Sequence, residues 1–115
     1  MKPEKVKFML LAANMKRAVA FYRDVIGLDE IFVSDFWTEL RHGDAIVALH
    51  GGHDGSRNAT GLSFQYADVF ALTAKIEQAG ATILQLPTQR EGEPILLGIF
   101  RDPEGNEVFI TQYVG

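Results

Sequence analysis

Phe8-Met9-Leu10-Leu11, then Asn14 with the helical stretch Met15–Ile26, then Gly27, is the first half of a pattern that the chain repeats. The second copy reads Leu62-Ser63-Phe64-Gln65, Asp68 with Val69–Ala79, and Gly80. Each copy closes on a turn and a strand. These are His42-Gly43-Asp44 before Ala45–Leu49, and Pro103-Glu104-Gly105 before Asn106–Ile110. The offset is 54 at the helix caps (68 minus 14) and 62 at the closing glycines (105 minus 43), which a few loop insertions absorb. A repeat of this length sets the architecture before any single residue is weighed. It also implies a pocket between the copies.

The helices are written in caps and spacing. Asn14 can accept a hydrogen bond from an orphan backbone N–H, and Asp68 can do the same. Met15, Ala18, Val19, Tyr22, Val25 and Ile26 recur at intervals of three and four, which puts them on one face. Val69, Leu72, Ile76 and Ala79 do so in the second helix. Gly27 and Gly80 supply left-handed stops. Lys16, Arg17, Arg23 and Asp24 are expected on the solvated side of the first helix, and Lys75, Glu77 and Gln78 on that of the second. Strands are expected at about 6–12, 29–34, 36–42, 45–50, 61–67, 82–86, 95–101 and 107–113. Gly51–Asn58 reads as a flexible crossover between the copies. Each copy is then a βαβββ unit, a curved sheet with a helix on its outer face. The class is α+β, with paired units around a central cleft. Residues 1–115 read as a single domain, module one at about 5–51 and module two at about 60–115.

Composition narrows the function. A chain of 115 residues with a 47% hydrophobic share can bury roughly 65% of its unfolded surface without staples. It has no cysteine, so it has neither a disulfide framework nor a thiolate metal site. The formal net charge is −4 and no basic stripe appears, which argues against nucleic acid. The apolar run Phe8–Ala13 is too short for a signal core or a membrane span. A soluble cytoplasmic protein, with no membrane partner, is the expectation.

Asn14–Leu28, with its cap, its aromatic pair Phe21-Tyr22 and its terminal Gly27-Leu28, resembles a recurring pattern of the vicinal oxygen chelate superfamily. This is the glyoxalase/bleomycin resistance/dioxygenase group. Phe100-Arg101-Asp102-Pro103-Glu104-Gly105-Asn106 matches that family's Asp-Pro-x-Gly-Asn turn, and Ala67-Asp68-Val69 with Gly80 matches its second helix. The resemblance implies the paired βαβββ fold, a small-molecule cleft and a homodimer. In metal-dependent members it implies a divalent ion held by a histidine from the first strand of each copy and a carboxylate from the last. Carried over, those positions are Lys7, Val47 or Ala48, Gly61 and Phe109, none of which binds a metal in the usual way. No metal and no cofactor are therefore expected. His50 or Glu107 would enter the cleft only by a shift along their strands, and His42 and His53 read as exposed turn and linker residues.

Strand alternation, set in the register that the resemblance implies, places Lys7, Met9, Leu11, Ser63, Gln65, Phe109 and Thr111 in the cleft, with Glu107 and Tyr113 as further candidates. Leu62, Phe64, Tyr66, Val108 and Ile110 go under the helices. Trp37 shares parity with Glu39 and Arg41, which suggests a rim position where an indole could stack on a planar ligand. Lys7, helped by Arg101, could face an anionic group, or could be an edge charge that discourages strand addition. Two functions follow from this cleft. One is a metal-free binding protein for a small hydrophobic or aromatic molecule, in a sequestration or resistance role. The other is a lyase, isomerase or dioxygenase with a displaced metal or none. The general-base candidates for the second are Glu107, His50 and Glu39. A structural or regulatory role without a ligand is a third reading.

Overall fold

The computed structural model describes residues Met1–Gly115. The elements run β1 (Lys7–Leu11), α1 (Met15–Ala20), β2 (Asp29–Phe32), β3 (Trp37–His42) and β4 (Ala45–His50). The second copy follows with β5 (Asn58–Gln65), α2 (Val69–Gln78), β6 (Thr82–Gln89), β7 (Ile95–Arg101) and β8 (Asn106–Tyr113). The chain forms two four-stranded sheets with identical topology, β1-β4-β3-β2 and β5-β8-β7-β6. In each, the first and last strands of the copy pair in parallel and the other pairings are antiparallel. This is the α+β architecture that the repeat predicts.

Four expectations need correction. The first helix is α-helical only to Ala20 and continues as a π-helical turn over Phe21–Ile26. The wider turn lets the N–H groups of Gly27 and Leu28 both reach the Tyr22 carbonyl. Strand β5 begins at Asn58, three residues before expectation, because pairing with β8 carries Thr60 and Gly61 through an irregular register. Strand β6 runs to Gln89 through Pro87. That is possible because it is an outer edge with bulges, where a missing N–H costs no ladder bond. The crossover is packed, not loose. Its Gly55 and Ser56 lie directly against Gly105, and the His53 N–H bonds the Ala12 carbonyl at 3.2 Å.

One hydrophobic core serves both copies. Leu10, Val19, Tyr22, Leu40 and Leu49 from the first copy join Val69, Leu72, Ile76, Phe100 and Ile110 from the second. The ring of Phe21 lies 5.1 Å from Tyr22 and 5.7 Å from Phe100, so the end of the first helix bridges the two copies.

A polar weld ties the copies together at one end of their seam. The Glu104 carboxyl group is buried and accepts from the N–H groups of Ala13 (3.0 Å) and Asn14 (2.7 Å) and from Arg17 Nε (2.7 Å). Arg17, expected on the solvated side of the first helix, is instead half of a cross-module ion pair. Asp102 accepts from Tyr22, from the Asn106 amide and from the backbone of Glu104 and Asn106. Asn106 donates to the Leu11 carbonyl at 2.7 Å and accepts from the Leu11 N–H at 3.0 Å. Every buried side-chain polar atom has a partner, so the weld leaves none of them orphaned.

Candidate ligand-binding face

Strand register groups the candidate cleft residues within each sheet. Lys7, Met9 and Leu11 on β1 stand beside Ile46, Ala48 and His50 on β4. Ser63 and Gln65 on β5 stand beside Phe109 and Thr111 on β8. Accessibility differs among them. Met9 is 48% exposed, whereas Thr111 is only 9% exposed. Leu11 and Phe109 are half-buried, and Ser63 and Gln65 are open. Thr111 therefore offers little surface to a ligand.

The charges on this face pair with one another. Lys7 Nζ lies 2.8 Å from Glu39 Oε2, and Trp37 Nε1 donates to the same oxygen at 2.8 Å. Those two bonds, Lys7 first, hold the Glu39 carboxyl below its ordinary range. Lys7 is thus already neutralised within the chain, which weakens it as a counter-ion for a ligand. On the second sheet Glu107 accepts from Arg101 at 2.8 Å and from Arg57 at 2.9 Å. Arg101, then Arg57, holds Glu107 low as well. Neither carboxylate has the raised affinity for protons that a general base near neutral pH needs. The third candidate, His50, shares a 3.0 Å contact between its Nδ1 and His53 Nε2. Its ring centroid lies 6.0 Å from that of Trp37. His53 is half-buried against it, where linker position predicts full exposure.

The donor chemistry at the family's metal positions does not fit a divalent ion. Lys7, Ala48, Gly61 and Phe109 carry no imidazole or carboxylate. No three histidine, aspartate or glutamate side chains lie close enough together to hold a metal. What the face does present is apolar surface framed by two self-neutralised clusters. Trp37 is half-buried at one edge, its indole held by Glu39.

Both ion-pair clusters follow pH with the usual carboxylate sign. Their folded-state affinity for protons is depressed, so their contribution is complete above the ordinary value of 4.5. It is lost as pH falls through the lowered folded value. Stability in urea is expected to be flat from pH 8 to 6 with respect to these groups and to fall below about pH 4.5. The slope of that fall should shrink in Glu107→Gln. An unchanged slope would mean that Arg57 and Arg101 do not hold the carboxylate in solution.

A family model described as the Glyoxalase/Bleomycin resistance protein/Dioxygenase superfamily matches residues 6–110. No curated protein matches the chain. Among solved structures, a glyoxalase/bleomycin resistance protein/dioxygenase family enzyme from Burkholderia phytofirmans PsJN superposes with a TM-score of 0.78 at 20% identity. The alignment covers 93% of this chain and 96% of that one. TnmS3, an antibiotic binding protein from Streptomyces sp. CB03234, gives 0.77 at 20% identity, with 97% of each chain covered. The fosfomycin resistance protein FosX of Listeria monocytogenes gives 0.80 at 15% identity, covering 97% of this chain and 94% of that one. At these identities the likeness establishes the fold, and the match over residues 6–110 establishes the family. The chain belongs to the glyoxalase/bleomycin resistance protein/dioxygenase superfamily.

Proposed function

We propose that the protein is a metal-free binding module that takes up a small hydrophobic or aromatic molecule on its helix-free face. The observation that carries this reading is the state of the charges there. Glu39 and Glu107 are each satisfied within the chain and held ionised, while Met9 is exposed and Phe109 half-exposed between them. Such a surface gains free energy from covering apolar area at about 25 cal/mol per Å². Its two carboxylates are both engaged, so neither is a free base for turnover. The antibiotic binding protein among the structural relatives supports a sequestering role. The catalytic alternative would require Glu39 or Glu107 to release its partner first, or His50 to act as the base from its contact with His53.

The test is fluorescence of Trp37, the only tryptophan. Titration with a planar aromatic probe should quench or shift its emission. Met9→Ala and Phe109→Ala should each weaken binding by about fivefold, the cost of roughly 1 kcal/mol of lost contact. A probe that binds by calorimetry with no change in emission would place the site elsewhere.

We further infer a homodimer. The outer strand β2 leaves Ile31 and Phe32 exposed, and Val33 and Phe36 beyond it are exposed as well. Unpaired edges that carry apolar side chains are normally covered. Light scattering at micromolar concentration should give twice the chain mass of 12.8 kDa. A single-chain mass would refute the dimer without touching the binding reading.

A further inference from the structure

The two repeats meet along β1 and β5, the inner edge strands of their sheets. At one end of this seam Asn106 clamps the backbone of Leu11 through both of its amide atoms, and Asn58 donates to Asn106 at 2.9 Å. Sheet register identifies the corresponding residues at the other end. Leu11 pairs with His50 as Gln65 pairs with Thr111, and Met9 pairs with Ala48 as Ser63 pairs with Phe109. Arg41 pairs with Ile46 as Arg101 pairs with Glu107, so Ala45 stands where Asn106 stands. Gln65 therefore occupies the place of Leu11, and the residue that should clamp it is an alanine. A methyl group can neither donate nor accept a hydrogen bond.

The seam is open at this end. A cavity of about 630 Å³ lies here, and both Ala45 and Gln65 line it. That volume is in the range of small-molecule sites. Its walls are apolar, with Phe8, Ile26, Leu28, Leu62 and Phe64 among them. It opens on the helix side of the sheets, the side on which Leu10 and Phe64 join the core. Ser63, Gln65 and Ile46 border both this cavity and the helix-free face, but Lys7, Met9, Trp37 and Phe109 take no part in its lining. Asp44 is the one charged residue of the lining, and it belongs to no ion pair of the chain. Val6 is exposed to water here although it is apolar.

We propose that this half-open seam is a second binding site, for a compact apolar amine. The hydrocarbon part lies between Phe8 and Phe64, and the ammonium group pairs with Asp44. Charge decides the class. A cation gains the carboxylate of Asp44, a neutral isostere gains only burial, and an anion is repelled. The site does not depend on the use of the helix-free face.

The experiment uses three naphthalene probes of similar size, 1-naphthylmethylamine, 1-naphthylmethanol and 1-naphthoic acid. Binding to the full chain is followed by calorimetry and by amide NMR shifts. The amine is expected to bind about tenfold more tightly than the alcohol, the gain of one charge-assisted hydrogen bond. The acid should bind most weakly. Shifts should centre on Phe8, Leu62 and Phe64 and leave the Trp37 indole signal unmoved. Asp44→Asn should abolish the preference for amine over alcohol. Ala45→Asn supplies the missing clamp and should cut amine binding at least tenfold without loss of stability. Leu62→Trp fills the cavity and should do the same. If Leu62→Trp does not fold, Ala45→Asn still decides the matter. The proposal is overturned if the shifts centre on Trp37 and Phe109, or if Ala45→Asn binds the amine as wild type does. It is also overturned if no probe binds at millimolar concentration, or if Ala45→Asn changes the oligomeric state, since a second copy would then be the occupant.

Discussion

Replacing Asp102 by alanine lowers the unfolding free energy by about 4 kcal/mol, read as a fall in the urea midpoint at unchanged slope. Asp102 is 3% exposed. Its Oδ1 accepts from the N–H groups of Glu104 and Asn106, both at 2.9 Å. Its Oδ2 accepts from Tyr22 at 2.6 Å and from the Asn106 amide at 2.8 Å. Alanine leaves four donors without an acceptor in a closed site. Each orphan costs about 1–3 kcal/mol, and water entering the gap relieves part of the sum. Tyr22→Phe removes one donor and leaves the carboxyl three, so its cost should be nearer 1–2 kcal/mol. The two changes share partners and will not add. A loss under about 1 kcal/mol for Asp102→Ala would mean that the weld is wet in solution.

The same residue has an inverted pH signature. Burial raises the Asp102 carboxyl above its ordinary value of 3.8, and its hydrogen bonds only partly offset that. The folded chain then binds the proton more tightly than the unfolded chain. As pH rises from 3.8 through the raised folded value, ionisation costs stability, and above that value the cost is constant. The advantage of wild type over Asp102→Asn should therefore shrink as pH rises through that window. This runs opposite to Glu39 and Glu107.

What could be read from sequence was whatever is local or periodic. The helix caps are at Asn14 and Asp68, as their side chains imply, and each accepts from the N–H three residues on. The strand faces follow alternation, which is why Lys7 and Met9 share one side of the first sheet and Ser63 and Phe109 one side of the second. What could not be read depends on partners far away in the chain. Glu104 sits in a turn and resembles a solvated charge, yet it is buried because residues some ninety positions earlier need its oxygens. Arg17 follows Glu104 for the same reason. The π-helical turn has no signature in spacing, because Phe21, Tyr22 and Ile26 are apolar and buried in either geometry. The candidate face follows from strand parity, but its interactions do not. Nothing in the spacing of residues 7, 37 and 39 says that a lysine and an indole converge on one carboxylate.

The repeat is most informative where its halves differ. Asp102, Glu104 and Asn106 belong to a turn that the first copy replaces with the shorter His42-Gly43-Asp44. The second copy's turn thus welds one end of the seam, and the first copy's turn supplies no counterpart at the other, where the Tyr66 hydroxyl donates to the Ile26 carbonyl. Stability is concentrated at the welded end and apolar space at the open one. Sites that bind are commonly drawn from less constrained regions held by a rigid frame. The asymmetry supplies both from one duplicated unit.

Gly105→Ala tests how tightly the crossover is fitted to that weld, and its expected cost is about 4 kcal/mol or more. Gly105 has φ +98°. A side chain in left-handed backbone costs roughly 1–2 kcal/mol by itself. Here the added methyl would also overlap the carbonyl oxygens of Gly55 and Ser56. Both are backbone atoms, so no rotamer change relieves the overlap. The crossover must move away, yet the Asn58 N–H bonds the Gly105 carbonyl at 2.9 Å and holds it there. Breaking that bond shifts the start of β5 and with it Asn58, a donor to Asn106. Gly43→Ala is the internal control. Gly43 is also left-handed, at φ +57°, but its added methyl would meet nothing within 4 Å. It should cost about 1 kcal/mol, from the backbone alone. Hydrogen exchange should then report faster opening of residues 51–58 in Gly105→Ala and native protection there in Gly43→Ala. Equal costs for the two variants would show that the crossover yields freely to the added methyl, and that the weld rests on Asp102, Glu104 and Asn106 without it.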